Sequence, residues 1–269
     1  MNVRGLAALI GDASDAWVND NVPSMSASLA FYTVLSIVPF LIVVTSAAAH
    51  FFGAQAVEGQ LMWEIQDLTG IAGAEAIQAL LKSAYNSSAA ATVVGFVTLL
   101  FSASAVVIEL RDSQNAIWQV PATATTFVRL VRERFYLFGL ILGVGVLLAI
   151  SLVVSTLVGV KPPRNVPPVL VHLAVFVGSF FLITALFAAI YKVVPDVHLD
   201  WTDVIVGASF TSFLFSVGKQ LIGFYLGRVN YGSTYGAAGS VLIVLVWVYY
   251  SAQLFFFGAE FTRVYRQRR

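Results

Sequence analysis

The sequence of 269 residues contains no cysteine and few charged side chains. The missing thiols exclude disulfides, thiolate catalysis and cysteine-based metal sites. Only 11% of the residues are charged, whereas ordinary soluble domains contain roughly 25%. The net charge of +1 gives no electrostatic reason to expect a nucleic-acid partner. Apolar residues make up 59% of the chain and the mean hydropathy is +0.86, so the composition predicts an integral membrane protein.

Motifs for catalysis are also missing from the sequence. The three histidines, His50, His172 and His198, are far apart, and neither an HExxH motif nor a P-loop is present. The run GSTYG, Gly232–Gly236, lacks the GxSxG spacing of a nucleophile elbow. We therefore expect that the protein is not an enzyme and has no catalytic residue, metal site or cofactor.

Six apolar segments are long enough to cross a bilayer, since a hydrocarbon core of about 30 Å needs about 20 residues of helix. The start of the chain has one basic residue, Arg4, followed by acids, so we expect the first apolar segment to stay in the membrane and not to be cleaved as a signal peptide. The predicted spans are residues 28–52, 89–110, 136–160, 169–194, 204–226 and 237–262. The sequence thus predicts one all-α membrane domain, residues 1–269, with six transmembrane helices.

The positions of lysine and arginine predict the orientation of these spans. With the N-terminus inside, ten basic residues lie on the cytoplasmic side and four on the opposite side. Both termini are therefore predicted to be cytoplasmic.

The connection between the first two spans, residues 55–86, has helical periodicity and is predicted to form two amphipathic helices on the outer face. Their apolar stripes are Leu61, Met62, Ile65 and Leu68 in the first helix, and Ile77, Leu80, Leu81 and Ala84 in the second. Similar stripes occur before span one (Leu6, Ile10, Ala13 and Trp17) and before span three (the basic run Phe127–Phe135). Anchoring at the membrane interface is favoured over specific lipid recognition for each of them.

Four of the predicted spans carry polar residues on one face. A polar stripe in a membrane helix should face protein or a wet cavity, because lipid offers no hydrogen-bond partners. The candidates are Tyr32 and Ser36 on span one, Glu109 on span two, Ser212, Ser216 and Lys219 on span five, and Tyr249, Gln253 and Glu260 on span six. Helix packing explains the uncharged stripes better than a pathway does. Pro39 is predicted to kink span one.

Depth along the helices separates the charged candidates. At about 1.5 Å per residue, Glu260 and Glu109 lie at the predicted cytoplasmic edge, and Arg263 can pair with Glu260. Lys219 lies only about 6 Å beyond the midpoint of span five, where a lysine costs about 2.5 to 3.5 kcal/mol on insertion scales. Its burial requires an acid of the external helices, an anionic ligand or an aqueous cavity, while snorkelling to the outer surface is the alternative.

Several segments resemble the YihY/BrkB family of bacterial inner-membrane proteins. These segments are SASLAFYTVLSIVPF (Ser26–Phe40), NAIW (Asn115–Trp118), YKVVPD (Tyr191–Asp196) and the C-terminal run from Tyr231 to Phe261, which ends in GAEF. The resemblance implies a multi-pass protein of the bacterial inner membrane with six helices and an unsettled activity. Some family members carry a ribonuclease label, which these residues do not support because no metal cluster or basic groove is evident.

The leading functional hypothesis is a transporter, exporter or flippase of an amphipathic, anionic, lipid-like solute. Spans one, two, five and six would line its cavity, and Lys219 would contact the anionic group. A cytoplasmic entrance would be formed by Asn115, Trp118, Arg129, Arg132 and Arg134, and Gly232 and Gly236 would serve as hinges. The competing hypothesis is a scaffold or envelope-integrity protein that binds lipid or a partner. Small residues in the spans are compatible with homo-oligomerisation as well as with internal packing.

Overall fold

The computed structural model describes residues 3–52, 65–66, 69, 71–79, 82, 105–121, 168–228 and 237–269. Within these ranges the secondary structure is helical, with no strand. The five long helices are α1 (Val3–Asn19), α2 (Val22–Phe52), α3 (Pro168–Val193), α4 (Trp201–Arg228) and α5 (Ala237–Gln267). Two shorter helical segments cover residues 71–79 and 105–117.

Local sequence explains where two of the helix boundaries fall. Asn21 adopts a positive φ of 55°, which asparagine tolerates better than most residues, and this turn separates α1 from α2. Pro195 cannot continue α3, which ends at Val193. After the short loop, the carbonyl of Asp200 accepts hydrogen bonds from the backbone amides of Asp203 and Val204, and α4 begins. The second of these turns brings α4 back along α3, whereas α1 packs mainly on α5.

Four of the predicted spans correspond to helices. Spans four and five match α3 and α4 to within a few residues. Helix α2 begins at Val22, earlier than the predicted start at residue 28, and α5 continues to Gln267, beyond the predicted end at residue 262. The additional helical turns contain polar residues that pack against protein. A prediction based on hydropathy alone therefore leaves these turns out of the spans. Span three and residues 89–104 of span two lie outside the described residues, so the six-span count and the side of the termini remain predictions.

Helix α5 is at the centre of the described bundle. It packs against α1, α2 and α4, while α3 packs against α4. Most of the buried apolar residues of α5 lie in its second half, where Phe255, Phe256 and Ala259 meet residues of α2, α3 and α4. Leu9 and Ala13 of α1 cover Phe261 and Val264. The N-terminal apolar stripe therefore packs on protein, although Ile10 of that stripe is exposed.

The outward faces of the helices are strongly apolar. Phe213, Leu221 and Phe224 of α4 are each about 60% exposed, as is Phe181 of α3 at 66%. Soluble proteins rarely expose such contiguous apolar surface, whereas a bilayer solvates it. Among the described residues, two helical stretches are long and apolar enough to cross a membrane, Trp201–Leu226 and Gly239–Gln267. The fold is thus that of an all-α membrane protein.

Candidate functional site

Arg263 lies at the centre of a buried polar contact near the end of α5, which we call the Arg263 joint. Its Nη2 lies 2.8 Å from Oε2 of Glu260 and 2.9 Å from Oδ2 of Asp20. Its Nη1 donates a hydrogen bond of 2.5 Å to the carbonyl of Ile117. Because Asp20 is in the turn between α1 and α2, one guanidinium ties α5 to that turn and to the segment 105–121.

Burial distinguishes this joint from a surface ion pair. Glu260 is fully buried and Arg263 is 7% exposed. The predicted pairing of Glu260 with Arg263 is present, but protein rather than water surrounds the carboxylate. Neither oxygen of Glu260 accepts a well-aligned hydrogen bond from the described residues, although Oε2 is close to the Arg263 guanidinium. Removing one partner of a buried pair of this kind typically costs about 3–5 kcal/mol, because the other charge is left uncompensated.

A second polar contact connects two of the segments on which the family resemblance rests. Asn115 donates to Oδ2 of Asp196 at 3.0 Å and accepts a 2.8 Å hydrogen bond from the Asp196 amide. Arg111 contacts both carboxylate oxygens of Asp196, at 3.1 and 2.5 Å. Trp118 packs against the core, with the guanidinium of Arg266 6.0 Å from its ring centre. Asn115 and Trp118, the two described residues of the predicted entrance, are thus in contact with other parts of the protein, and Arg129, Arg132 and Arg134 lie outside the described residues.

Helices α4 and α5 approach closely through glycines, along what we call the glycine seam. A Cβ on Gly207 would collide with Thr262, and one on Gly258 would lie 2.6 Å from the hydroxyl of Tyr191. A Cβ on Gly218 would lie 2.8 Å from the hydroxyl of Tyr250. From Gly207 to Gly218 the seam extends along about 16 Å of α4.

Tyr191 of α3 closes the seam from the side. Its hydroxyl donates a 2.6 Å hydrogen bond to the carbonyl of Phe255 and lies 2.9 Å from Oγ1 of Thr211. Both hydrogen bonds are buried. Sequence reasoning missed this network, although glycines within apolar helices were a signal of close helix packing.

The polar candidates on α4 and α5 are buried to different degrees. Ser212 is fully buried, and its hydroxyl has no hydrogen-bond partner among the described residues. Ser216, Lys219, Tyr249 and Gln253 are half-buried. Lys219 interacts with neighbouring groups, and the role predicted for it stays a prediction.

The other predicted site residues are in different surroundings. Ser36 is buried and donates to the carbonyl of Thr33, while Tyr32 is half-buried. Glu109 accepts a 3.4 Å hydrogen bond from Ser113, and its neighbour Arg111 pairs with Asp196. Helix α2 continues through position 39, but the Pro39 side chain and both predicted hinges, Gly232 and Gly236, lie outside the described structure.

An apolar pocket of about 150 Å³ lies between α2, α5 and the described part of residues 65–79. We call it the Trp247 pocket. It is lined by Ile37, Ile65, Thr69, Gly73, Ile77, Val244 and Trp247. The hydroxyl of Thr69 donates to the carbonyl of Ile65, whereas the buried indole N–H of Trp247 has no acceptor among the described residues. Of the predicted outer stripes, Ile65 and Ile77 are thus buried against the bundle, and a position at the membrane interface stays a prediction for residues 55–86.

In the part of the chain that the structure describes, no group of three or more His, Cys, Asp or Glu side chains is placed to hold a metal ion. The buried charges are used in contacts between helices.

Comparison with known proteins identifies the family. The family described as Virulence factor BrkB matches residues 13–269. The chain is 29% identical over 254 residues to a UPF0761 membrane protein of Pseudomonas paraeruginosa, covering 90% of this chain and 59% of the relative. It is 28% identical over 258 residues to a UPF0761 membrane protein of Halorhodospira halophila, covering 93% of this chain and 55% of the relative.

A third relative, a UPF0761 membrane protein of Ralstonia nicotianae, is 29% identical over 266 residues, which cover 96% of this chain and 58% of the relative. The chain thus spans a little over half the length of these relatives. No solved structure matches it. The match to nearly the whole chain confirms the resemblance seen in the sequence: the protein belongs to the BrkB family of membrane proteins.

Proposed function

We propose that the protein moves an amphipathic, anionic, lipid-like solute across the bacterial inner membrane as a multi-pass transporter or flippase. The observation that carries this proposal is the polar stripe of α4. Ser212 is buried without a partner among the described residues, and Ser216 and Lys219 follow it on the same face. A membrane helix retains such groups at a cost, which a polar solute in contact with them would offset.

Lys219 and the Trp247 pocket lie at similar positions along the α4–α5 pair. Phe215 of α4 meets Trp247 of α5 edge to face, with ring centres 6.4 Å apart. Lys219 follows Phe215 by one helical turn, about 6 Å along α4. The cationic group is therefore close in depth to the Trp247 pocket, which offers room for an apolar group between α5 and α2.

A lipid-binding scaffold without transport activity is the second candidate. The Arg263 joint and the glycine seam favour it, because they tie α5 to the turn between α1 and α2 and to α4. In a transporter, movement must therefore occur at other helix contacts. A flux measurement separates the two candidates, since both predict lipid binding.

The test uses vesicles that contain a fluorescent phosphatidylglycerol, whose outer-leaflet fluorophore is quenched by dithionite. The probe in the inner leaflet is protected from dithionite until it moves to the outer leaflet. The protected fraction should therefore fall faster in vesicles with wild-type protein than in protein-free vesicles. Lys219→Met should lower this rate to that of protein-free vesicles, while Lys219→Arg should retain part of it because the positive charge is kept.

Lys82→Met is the matched control, since Lys82 is an exposed lysine that is not part of α4. It should move the probe at the wild-type rate. If the probe moved no faster with wild-type protein than in protein-free vesicles, the transport proposal would be contradicted and the scaffold favoured. Equal rates for wild type and Lys219→Met would remove Lys219 from the pathway.

A further inference from the structure

We propose that the Trp247 pocket binds one hydrocarbon chain of a membrane lipid and that this chain is held between α5 and the segment 65–79. The lining is formed by side chains of α2, α5 and the described part of residues 65–79. Val244 of α5 is 2% exposed, and Ile77 and Ile65 of the 65–79 segment are 4% and 8% exposed. The binding site itself does not depend on transport, but its role in delivering a solute to Lys219 rests on the proposed function.

The pocket is far from the polar end of the molecule. Val244 precedes Glu260 by 16 positions, which corresponds to about 24 Å along α5. It follows the start of α5 at Ala237 by only about 10 Å. In a hydrocarbon core of about 30 Å, the pocket is therefore within the apolar region of the bilayer and away from the Arg263 joint.

The chemistry of the lining selects the occupant. An apolar cavity of this size excludes water, which needs two to four polar partners, and accepts apolar molecules instead. Hydrocarbon chains are the surrounding solvent of a membrane protein, so they are the apolar groups present at highest concentration. The hydroxyl of Thr69 donates a hydrogen bond to the carbonyl of Ile65, so it adds little polarity to the pocket wall.

Trp247 adds one polar feature to the apolar wall. Its indole N–H is a donor only, and it is buried without an acceptor among the described residues. Buried indole N–H groups usually find a hydrogen-bond partner. This N–H therefore marks the point of the pocket wall at which a polar group of the occupant would find a hydrogen-bond donor.

Photo-crosslinking tests this site directly. The full chain is reconstituted in phosphatidylethanolamine vesicles that contain a minority of phosphatidylglycerol with a diazirine in one acyl chain. After irradiation, mass spectrometry locates the labelled residues. We expect labels on residues that line the pocket, such as Ile65, Ile77 and Trp247. Val244→Phe, which fills the pocket, should lower this labelling about tenfold, equivalent to about 1.4 kcal/mol.

Val241→Phe is the matched control because Val241 is on the same helix but is 36% exposed. It should leave pocket labelling unchanged. Ile77→Phe fills the pocket from the opposite wall and should repeat the effect of Val244→Phe if that variant fails to fold.

Two results would overturn the site. One is labelling confined to exposed residues such as Val241 and Phe213, and the other is equal labelling of Val244→Phe, Ile77→Phe and wild type. The outcome is independent of flux. Labelling without flux would keep the chain site and contradict the transporter, whereas flux without pocket labelling would keep the transporter and contradict the chain site.

Discussion

The two sides of α5 differ in how they meet their neighbours. On the side that faces α4, the two helices approach closely at glycines. A Cβ on Gly207 of α4 would collide with Thr262, and a Cβ on Gly258 of α5 would collide with Thr211. Toward α2 and residues 65–79, valine, isoleucine and tryptophan side chains enclose an apolar pocket of about 150 Å³. One side of the same helix is close-packed and the other leaves a void.

This difference indicates which helix contacts can change. Packing voids forfeit dispersion contacts, so the pocket side is held more weakly than the seam. The Arg263 joint adds a fixed point at the C-terminal end of α5. The seam thus ties α5 to α4, and the movement that the proposed transport would require is expected between α5 and its partners at the pocket.

The largest effect is expected at the joint. Arg263→Met leaves Glu260 and Asp20 without their shared cation, and we expect a loss of about 3–5 kcal/mol in stability. Thermal unfolding of the purified protein in detergent measures this loss. Arg268→Met is the control, because Arg268 pairs with Asp12 at the exposed surface, and it should cost less than about 1 kcal/mol. Equal costs for the two variants would show that the joint does not fix α5.

A smaller effect is expected at the seam. Gly258→Val places methyl groups against Thr211 and the hydroxyl of Tyr191, and we expect a loss of about 1–3 kcal/mol from overpacking. The matched substitution is Gly223→Val on α4, where an added Cβ meets no atom within 4 Å. Gly223→Val should unfold close to the wild-type temperature in the same assay. If Gly258→Val did the same, the close approach of α4 and α5 would not be required for stability.

The helices were largely predictable from sequence, and their polar partners were not. Contiguous apolar runs predict α3, α4 and α5, because a helix that crosses the hydrocarbon core needs apolar side chains along its whole length. The pairing of Glu260 with Arg263 was predictable as well, since residues three apart share a helix face. Asp20 and the Ile117 carbonyl, which complete the joint, are far away in sequence and no local pattern points to them.

The predicted entrance illustrates the same limit. Asn115 is predicted from sequence to form part of a cytoplasmic entrance. In the structure its side chain exchanges two hydrogen bonds with Asp196, a residue 81 positions away. The polarity of Asn115 was evident from sequence, but its use depends on which loop folds against it.

Spin-label distances test most directly whether α5 moves with α4 and against α2. The native chain has no cysteine, so a label pair can be introduced without background. Val217, Val241 and Leu35 are exposed positions on α4, α5 and α2, respectively. We predict one narrow Val217–Val241 distance that is the same in detergent and in phosphatidylglycerol vesicles. The Leu35–Val241 distance should differ between detergent and vesicles. An unchanged Leu35–Val241 distance beside a shifting Val217–Val241 distance would contradict it.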